Sequence, residues 1–161
     1  MSEVKVRWAA QADDQALLEI ERSAWDASSG FPSFTDGLGD TFFARSGPEV
    51  HLVAEYGGAV VGYLRLQDKY PFPEGTGVLA VNGLAVAHSA RGRGVASTLI
   101  TAAIDESRRR GARKLSLNVH AVNAAARRLY ERHGFVVEGL YHDEFMIEGT
   151  LIDALAMAKT L

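Results

Sequence analysis

The run Arg91-Gly92-Arg93-Gly94-Val95-Ala96-Ser97 stands between a nearly continuous apolar stretch, residues 78–87, and an amphipathic one. A glycine-rich turn in that position lets the backbone approach a ligand closely. The helix it opens would present unpaired amide hydrogens and the positive end of its dipole to an anion. With Arg91 and Arg93 beside the glycines, the chemistry indicated is binding of phosphate or pyrophosphate; solubilising charge is the plain alternative. Two familiar phosphate motifs do not fit. A P-loop needs G-x-x-x-x-G-K-[ST], and no lysine stands near this turn. A dinucleotide fingerprint needs a third glycine where Ser97 stands and an acid about 20 residues further on, whereas residues 113–119 hold no carboxylate.

A second group carries side-chain chemistry. Asn123 opens a helical pattern in which Ala126, Leu129, Tyr130 and His133 share a face, with Gly134 as its stop. Asn123 suits a helix N-cap, and Tyr130 reads either as a core aromatic or as a phenolic proton donor. His120 closes the strand before this helix, and His142, Asp143 and Glu144 cluster further on as other titratable groups. None of the 161 residues is cysteine, which excludes disulfides, cysteine-ligated zinc, iron–sulfur clusters and a thiol nucleophile. Any sulfur chemistry must arrive with a ligand.

The elements that position these residues follow from periodicity. Residues 4–8 alternate as a short strand, and a helix follows from Asp13 and Asp14 to near Trp25, with Ala16, Leu17, Ile20 and Ala24 on one face. The less regular segment 26–47 carries Phe31, Pro32 and Phe34 and a helical candidate at 36–43. Residues 50–56 and 59–67 around Gly57-Gly58 predict a hairpin. Residues 78–87 read as a strand buried on both faces, 95–110 as a helix, 113–119 as a strand, 123–133 as a helix, and 135–145 and 151–159 as two last strands. The order is β-α-(α)-β-β-β-α-β-α-β-β, an α/β fold in one domain spanning 1–161.

With 47% hydrophobic and 23% charged residues the composition is that of a globular domain. The net charge of −3 is uneven. Residues 88–133 hold ten Lys/Arg against three Asp/Glu, a local +7, and the remainder has seven against seventeen, a local −10. This polarity suits an anionic ligand on one side and a cationic one on the other; solvated helix faces are the plain reading. The first residues lack the basic leader and apolar core of a signal peptide, and no run reaches the ~18 apolar residues of a membrane span, so a cytoplasmic protein without a membrane partner is expected.

Residues 91–96 resemble the R-x-x-G-x-[GA] signature of the GNAT superfamily of N-acetyltransferases, preceded by its strand ending Leu84-Ala85-Val86. Asn123-x-x-Ala126-x-x-Leu129-Tyr130-x-x-x-Gly134-Phe135 is similar to the second superfamily pattern at each fixed position. The resemblance implies a central, mixed and strongly twisted sheet flanked by helices, acetyl-CoA as cosubstrate, no metal, and direct attack of a primary amine on the thioester. It implies that the amides of Arg91, Gly92, Arg93, Gly94, Val95, Ala96 and Ser97 cradle the pyrophosphate. Leu84, Ala85 and Val86 would pair with the pantetheine arm, Asn123 would bond it, and Tyr130 would protonate the departing thiolate as general acid.

Many superfamily members place a carboxylate base on the strand before the glycine turn or on the one after it. Here Asn82 and Asn118 occupy those places, and neither can serve as a base. His120, acting through water, is the best alternative, followed by His142, Asp143 and Glu144. Phe31, Phe34 and Tyr141, with Asn82 and Asn118, are candidates to line an acceptor site for a small amine or amino acid; a protein N-terminus or an antibiotic amine comes second. Two other classes stay open: a catalytically silent acyl-CoA sensor, which the two asparagines permit, and nucleic-acid binding through the +7 segment, against which the acidic remainder argues. A homodimer is expected from the superfamily alone.

Overall fold

The computed structural model describes residues 3–26 and 29–161. Seven strands form one sheet: β1 (Lys5–Trp8), β2 (His51–Tyr56), β3 (Ala59–Asp68), β4 (Val78–Val86), β5 (Lys114–His120), β6 (Val136–Ile147) and β7 (Thr150–Thr160), in the spatial order β1-β2-β3-β4-β5-β7-β6. The Gly57-Gly58 turn closes the β2–β3 hairpin because both residues sit at positive φ, 60° and 82°, where side chains are strained. Neighbouring strands are antiparallel except β4 and β5, which run parallel and therefore need a crossover. Helix α3 (Val95–Arg109) supplies it. The remaining helices are α1 (Asp14–Ser23), α2 (Pro32–Asp36) and α4 (Ala124–Arg132).

The helices divide between the two faces of the sheet. Leu99, Ile100 and Ala103 of α3 and Tyr130 of α4 pack on Leu64, Leu79, Val81, Leu115, Leu117 and Met157. Leu17, Leu18 and Ile20 of α1 pack on Val53, Tyr63 and Ala85 from the other side. Full burial of one such leucine stabilises by roughly 1.5–3 kcal/mol, so both faces depend on the hydrophobic stripes read in the sequence.

The expected helix at 36–43 does not form. Pro32, with its φ already helical, starts α2 earlier, Gly37 follows the last helical residue, and residues 42–44 make a single 3-10 turn. A distant partner decides this. The carboxylate of Asp14 accepts from the amides of Phe42 (3.1 Å) and Phe43 (3.0 Å) and from Thr41 Oγ1 (2.8 Å).

One irregularity matters most for function. The β4–β5 ladder lasts only from Val78↔Lys114 to Val81↔Leu117. At that point β4 bulges: Leu66 pairs with Val81 and Arg65 with Gly83, leaving Asn82 as the extra residue. Beyond it β4 stays with β3 as far as Val86, while β5 stays with β7 as far as His120. The two parallel strands thus part company, and a gap opens through the middle of the sheet.

Candidate active site

On the α3 side of that gap lies the glycine turn. Gly92 and Gly94 have φ of 77° and 76°, and a Cβ on either would meet nothing within 4 Å. Their glycines are therefore required by backbone conformation, and the space beside them is open to a ligand. Gly94 caps α3 without any side-chain hydrogen bond, so the first-turn amides of Val95, Ala96 and Ser97 have no intrahelical acceptor. The arginines behave differently from expectation. Arg91 is turned back onto carbonyls, its Nη2 donating to Ala24 (2.8 Å) and its Nε weakly to Val86 (3.4 Å), and its amide donates to His88. Arg93 lies over the Tyr56 ring, 5.0 Å from its centroid, and donates to the Tyr56 hydroxyl. The rest of the basic segment is also partly engaged, since Glu106 pairs with both Arg109 and Arg110, and Lys114 pairs with Glu138.

Helix α4 reaches the same face. Asn123 Oδ1 accepts from the amide of Ala126 (3.2 Å), so Asn123 is the N-cap. Tyr130 is 7% exposed, and burial alone pushes its hydroxyl up to about 12. Ser97 Oγ is 2.7 Å from Nε2 of His133, joining the start of α3 to the end of α4. Burial holds His133 below its ordinary value, with Arg132 and Lys159 adding to the effect. Along β4, Leu84 and Val86 are half-buried toward this side and Ala85 is buried toward α1.

On the opposite face an aromatic wall closes one side of the gap. Phe31 stands edge-on to His120 at the end of β5 (4.9 Å between centroids) and to Phe145 of β6 (4.7 Å), and is 5.0 Å from Phe34. His120 is buried at 7% exposure. Phe145 takes the place given to Tyr141, which is 46% exposed and makes no ring contact with this cluster among the described residues. The cause is a wide bulge in β6. Tyr141 pairs with Ala154 and Phe145 with Ile152, so His142, Asp143 and Glu144 all oppose Asp153. Asp153 Oδ1 accepts from the Asp143 amide at 2.7 Å, and its other oxygen is 3.6 Å from His142 Nδ1. These three titratable residues are consequently exposed, away from the gap's buried wall. Asn82 is exposed and donates to Gln67 Oε1, and Asn118 is exposed on β5.

The other side of the gap holds a carboxylate that sequence reasoning missed. Glu21 of α1 accepts from Trp25 Nε1 at Oε1 (2.8 Å) and from the Tyr63 hydroxyl at Oε2. Each oxygen keeps a further lone pair. Tyr63 is 1% exposed, and burial first, then the Glu21 charge, holds its phenol well above the ordinary range, so it stays a donor. Its hydroxyl lies 3.6 Å from where a Cβ of Gly83 would be, immediately past the Asn82 bulge. The i, i+4 spacing of Glu21 and Trp25 was the available signal. Among the described residues no group of three or more metal-ligating side chains occurs, and no helix is long and apolar enough to cross a membrane.

Comparisons with known proteins bear on the family and the fold. The model of the acetyltransferase (GNAT) family matches residues 15–135. An uncharacterised N-acetyltransferase of Bacillus subtilis, YhfO, is 33% identical over 86 residues, 53% of this chain. The match spans 58% of that relative's length. Among solved structures, the smu.2055 protein of Streptococcus mutans superposes with a TM-score of 0.81 at 23% identity, covering 97% of this chain and 98% of that one. The yncA protein of Salmonella typhimurium, solved with acetyl-CoA, gives 0.76 at 25% identity, covering 99% and 95%. A ribosomal-protein-alanine N-acetyltransferase of Brucella melitensis gives 0.75 at 28% identity, covering 98% and 99%.

Proposed function

The chain belongs to the acetyltransferase (GNAT) family, and from that premise we propose that it moves the acetyl group of acetyl-CoA directly onto a primary amine. The observation that carries this reading is the gap between β4 and β5, with a glycine-opened helix start whose first amides no side chain caps on one face and an acidic and aromatic wall on the other. The residues fit the cosubstrate. Open space at Gly92 and Gly94 and the free amides of Val95, Ala96 and Ser97 suit a pyrophosphate, and the β4 edge at Leu84, Ala85 and Val86 has no strand partner on its β5 side to compete with a pantetheine amide. Acetyl-CoA supplies the thioester, whose carbonyl carbon the amine attacks.

Asn123, with its Oδ1 used by the cap, keeps its amide N–H groups for the pantetheine region. Tyr130 donates a hydrogen bond to the departing sulfur. With the phenol held at about 12 and a free thiol near 8.5, complete proton transfer is uphill, so the group acts chiefly as a fixed donor. The amine must lose a proton, because an alkylamine near 10 is mostly ammonium at neutral pH. Glu21 takes it directly or through water, drawing the cationic amine to the acceptor face; His120 is the alternative base. A His120→Ala enzyme that keeps its pH–rate profile, beside a Glu21→Gln enzyme that loses most of its kcat, assigns the role to Glu21; the reverse pattern assigns it to His120.

The acceptor is a small amine or amino acid, entering past Phe31, Phe34 and Phe145. A homodimer is supported by Val136, Leu140 and Met146, exposed along the outer strand β6, and sedimentation tests it. Release of coenzyme A thiol that requires an added amine tests the activity itself.

A further inference from the structure

Arg65 occupies a position that none of the roles above uses. On one face of the sheet His51 of β2, Arg65 of β3 and Gly83 of β4 lie in one cross-strand row, and Gly83 borders the gap. His51 is fully buried. Its Nδ1 is bonded to the carbonyl of Gly47 at 2.7 Å, and its Nε2 accepts from Arg65 Nε at 2.9 Å. The guanidinium also lies above the Phe42 ring, 5.9 Å from its centroid. The arginine is therefore anchored through Nε and against the Phe42 ring, which leaves the two terminal nitrogens as the donating end of the fork.

That end is directed at the gap. Nη1 is 3.6 Å from where a Cβ of Gly83 would stand, so the missing side chain leaves room for the guanidinium to lie across β4. The Tyr63 hydroxyl, which holds Glu21, reaches the same point at 3.6 Å. Yet no carboxylate among the described residues comes within ion-pairing distance of Arg65, Glu21 included, whereas Arg7, Arg109 and Arg110 are each paired. A half-buried guanidinium without a carboxylate, held by a neutral imidazole and turned toward a substrate gap, is arranged to receive an anion from outside.

We propose that Arg65 reads a carboxylate on the acceptor, and that the amine substrate is a free amino acid or a similar zwitterion. The ammonium end falls to Glu21, held by the Tyr63 hydroxyl, and the carboxylate end to Arg65, whose Nη1 lies with that hydroxyl beside Gly83. This rests on the acceptor face assigned above and narrows its substrate class; a simple alkylamine or polyamine would leave the Arg65 fork without an acceptor.

The test is a matched panel of free amino acids and their carboxamides, titrated by calorimetry into the full chain saturated with coenzyme A, for the wild type, Arg65→Gln and Arg65→Lys. The expected result is that at least one amino acid binds about tenfold to a hundredfold more tightly than its amide, that Arg65→Gln brings the ratio near one, and that Arg65→Lys leaves it in between. Retained coenzyme A affinity shows that a variant is folded; if Arg65→Gln is not, the charge-conserving Arg65→Lys decides. Equal binding of acid and amide, a preference that survives the substitution, or no binding by any member overturns the proposal. Acetyl transfer indifferent to a carboxylate refutes the Arg65 role alone. Carboxylate preference without transfer to any amine refutes the acetyltransferase reading and leaves the Arg65 role standing.

Discussion

Arg65 Nε donates to Nε2 of the fully buried His51 at 2.9 Å, and this contact requires an unprotonated acceptor nitrogen. Burial above all, with the Arg65 charge assisting, lowers His51 to about 4. Its folded value is therefore below its unfolded one, near 6.5. The unfolded chain binds the proton first on acidification, so the stabilisation is complete above about pH 6.5 and is lost progressively as the pH falls towards 4.

Urea melts across that window should show a loss on the order of 3 kcal/mol from this one group. His51→Gln, which keeps an acceptor for Arg65 but does not titrate, should flatten the slope between pH 6.5 and 4. Glu106, drawn down to about 2 chiefly by Arg109 and also by Arg110, adds its own loss from about pH 5 downward, where the unfolded carboxyl begins to bind its proton, so the His51 effect is read as the difference between wild type and His51→Gln.

Tyr130→Phe should lower kcat by roughly tenfold to a hundredfold at a nearly constant KM for acetyl-CoA, because the hydroxyl acts on the leaving sulfur. With the phenol near 12, the wild-type pH–rate profile should show no alkaline limb from this group below about pH 10. A large rise in KM with kcat preserved would give Tyr130 a packing role only.

Gly94→Ala places a methyl group in open space but forces an L-residue to φ 76° at the head of α3. The cost is backbone strain, about 1–2 kcal/mol. Relief of that strain by re-aiming the turn would weaken acetyl-CoA binding, so calorimetry should report a lower affinity for the cosubstrate while the KM for the amine stays close to wild type.

Phe31→Ala removes the ring that joins His120, Phe34 and Phe145. Its expected signature is the opposite one, a raised KM for the acceptor with acetyl-CoA affinity retained. Weakening of both ligands together would mean that the aromatic wall supports the whole gap rather than the acceptor side.

Legibility in the sequence follows the range of the interactions. The turn at 91–97, the helix from Asn123 and the hairpin at Gly57-Gly58 are readable because their determinants are neighbours in the chain: positive-φ glycines, an N-cap, a stripe at helical spacing. The segment 36–43 misleads because its conformation is set by Asp14, far back in the chain. Phe145 is hidden by a β6 bulge that shifts the alternation of side chains after Tyr141. Glu21 has only its i, i+4 spacing to Trp25 as a local signal, Tyr63, Arg65 and Gly83 carry none, and they meet only when α1, β3 and β4 are assembled, so the acceptor half of the site emerges from topology. The motif of Arg91 is plain in the sequence, yet its guanidinium serves the backbone of Ala24, a partner that only the fold supplies.

The central claim is direct acetyl transfer across the β4–β5 gap, and its most direct measurement is the release of coenzyme A thiol from acetyl-CoA with a panel of amines, with the products and the protein weighed by mass spectrometry. Direct transfer requires thiol release that depends on an amine, an equal yield of N-acetylated amine, and no acetylated protein as an intermediate. Tight acetyl-CoA binding without amine-dependent thiol release from any member of the panel would contradict it.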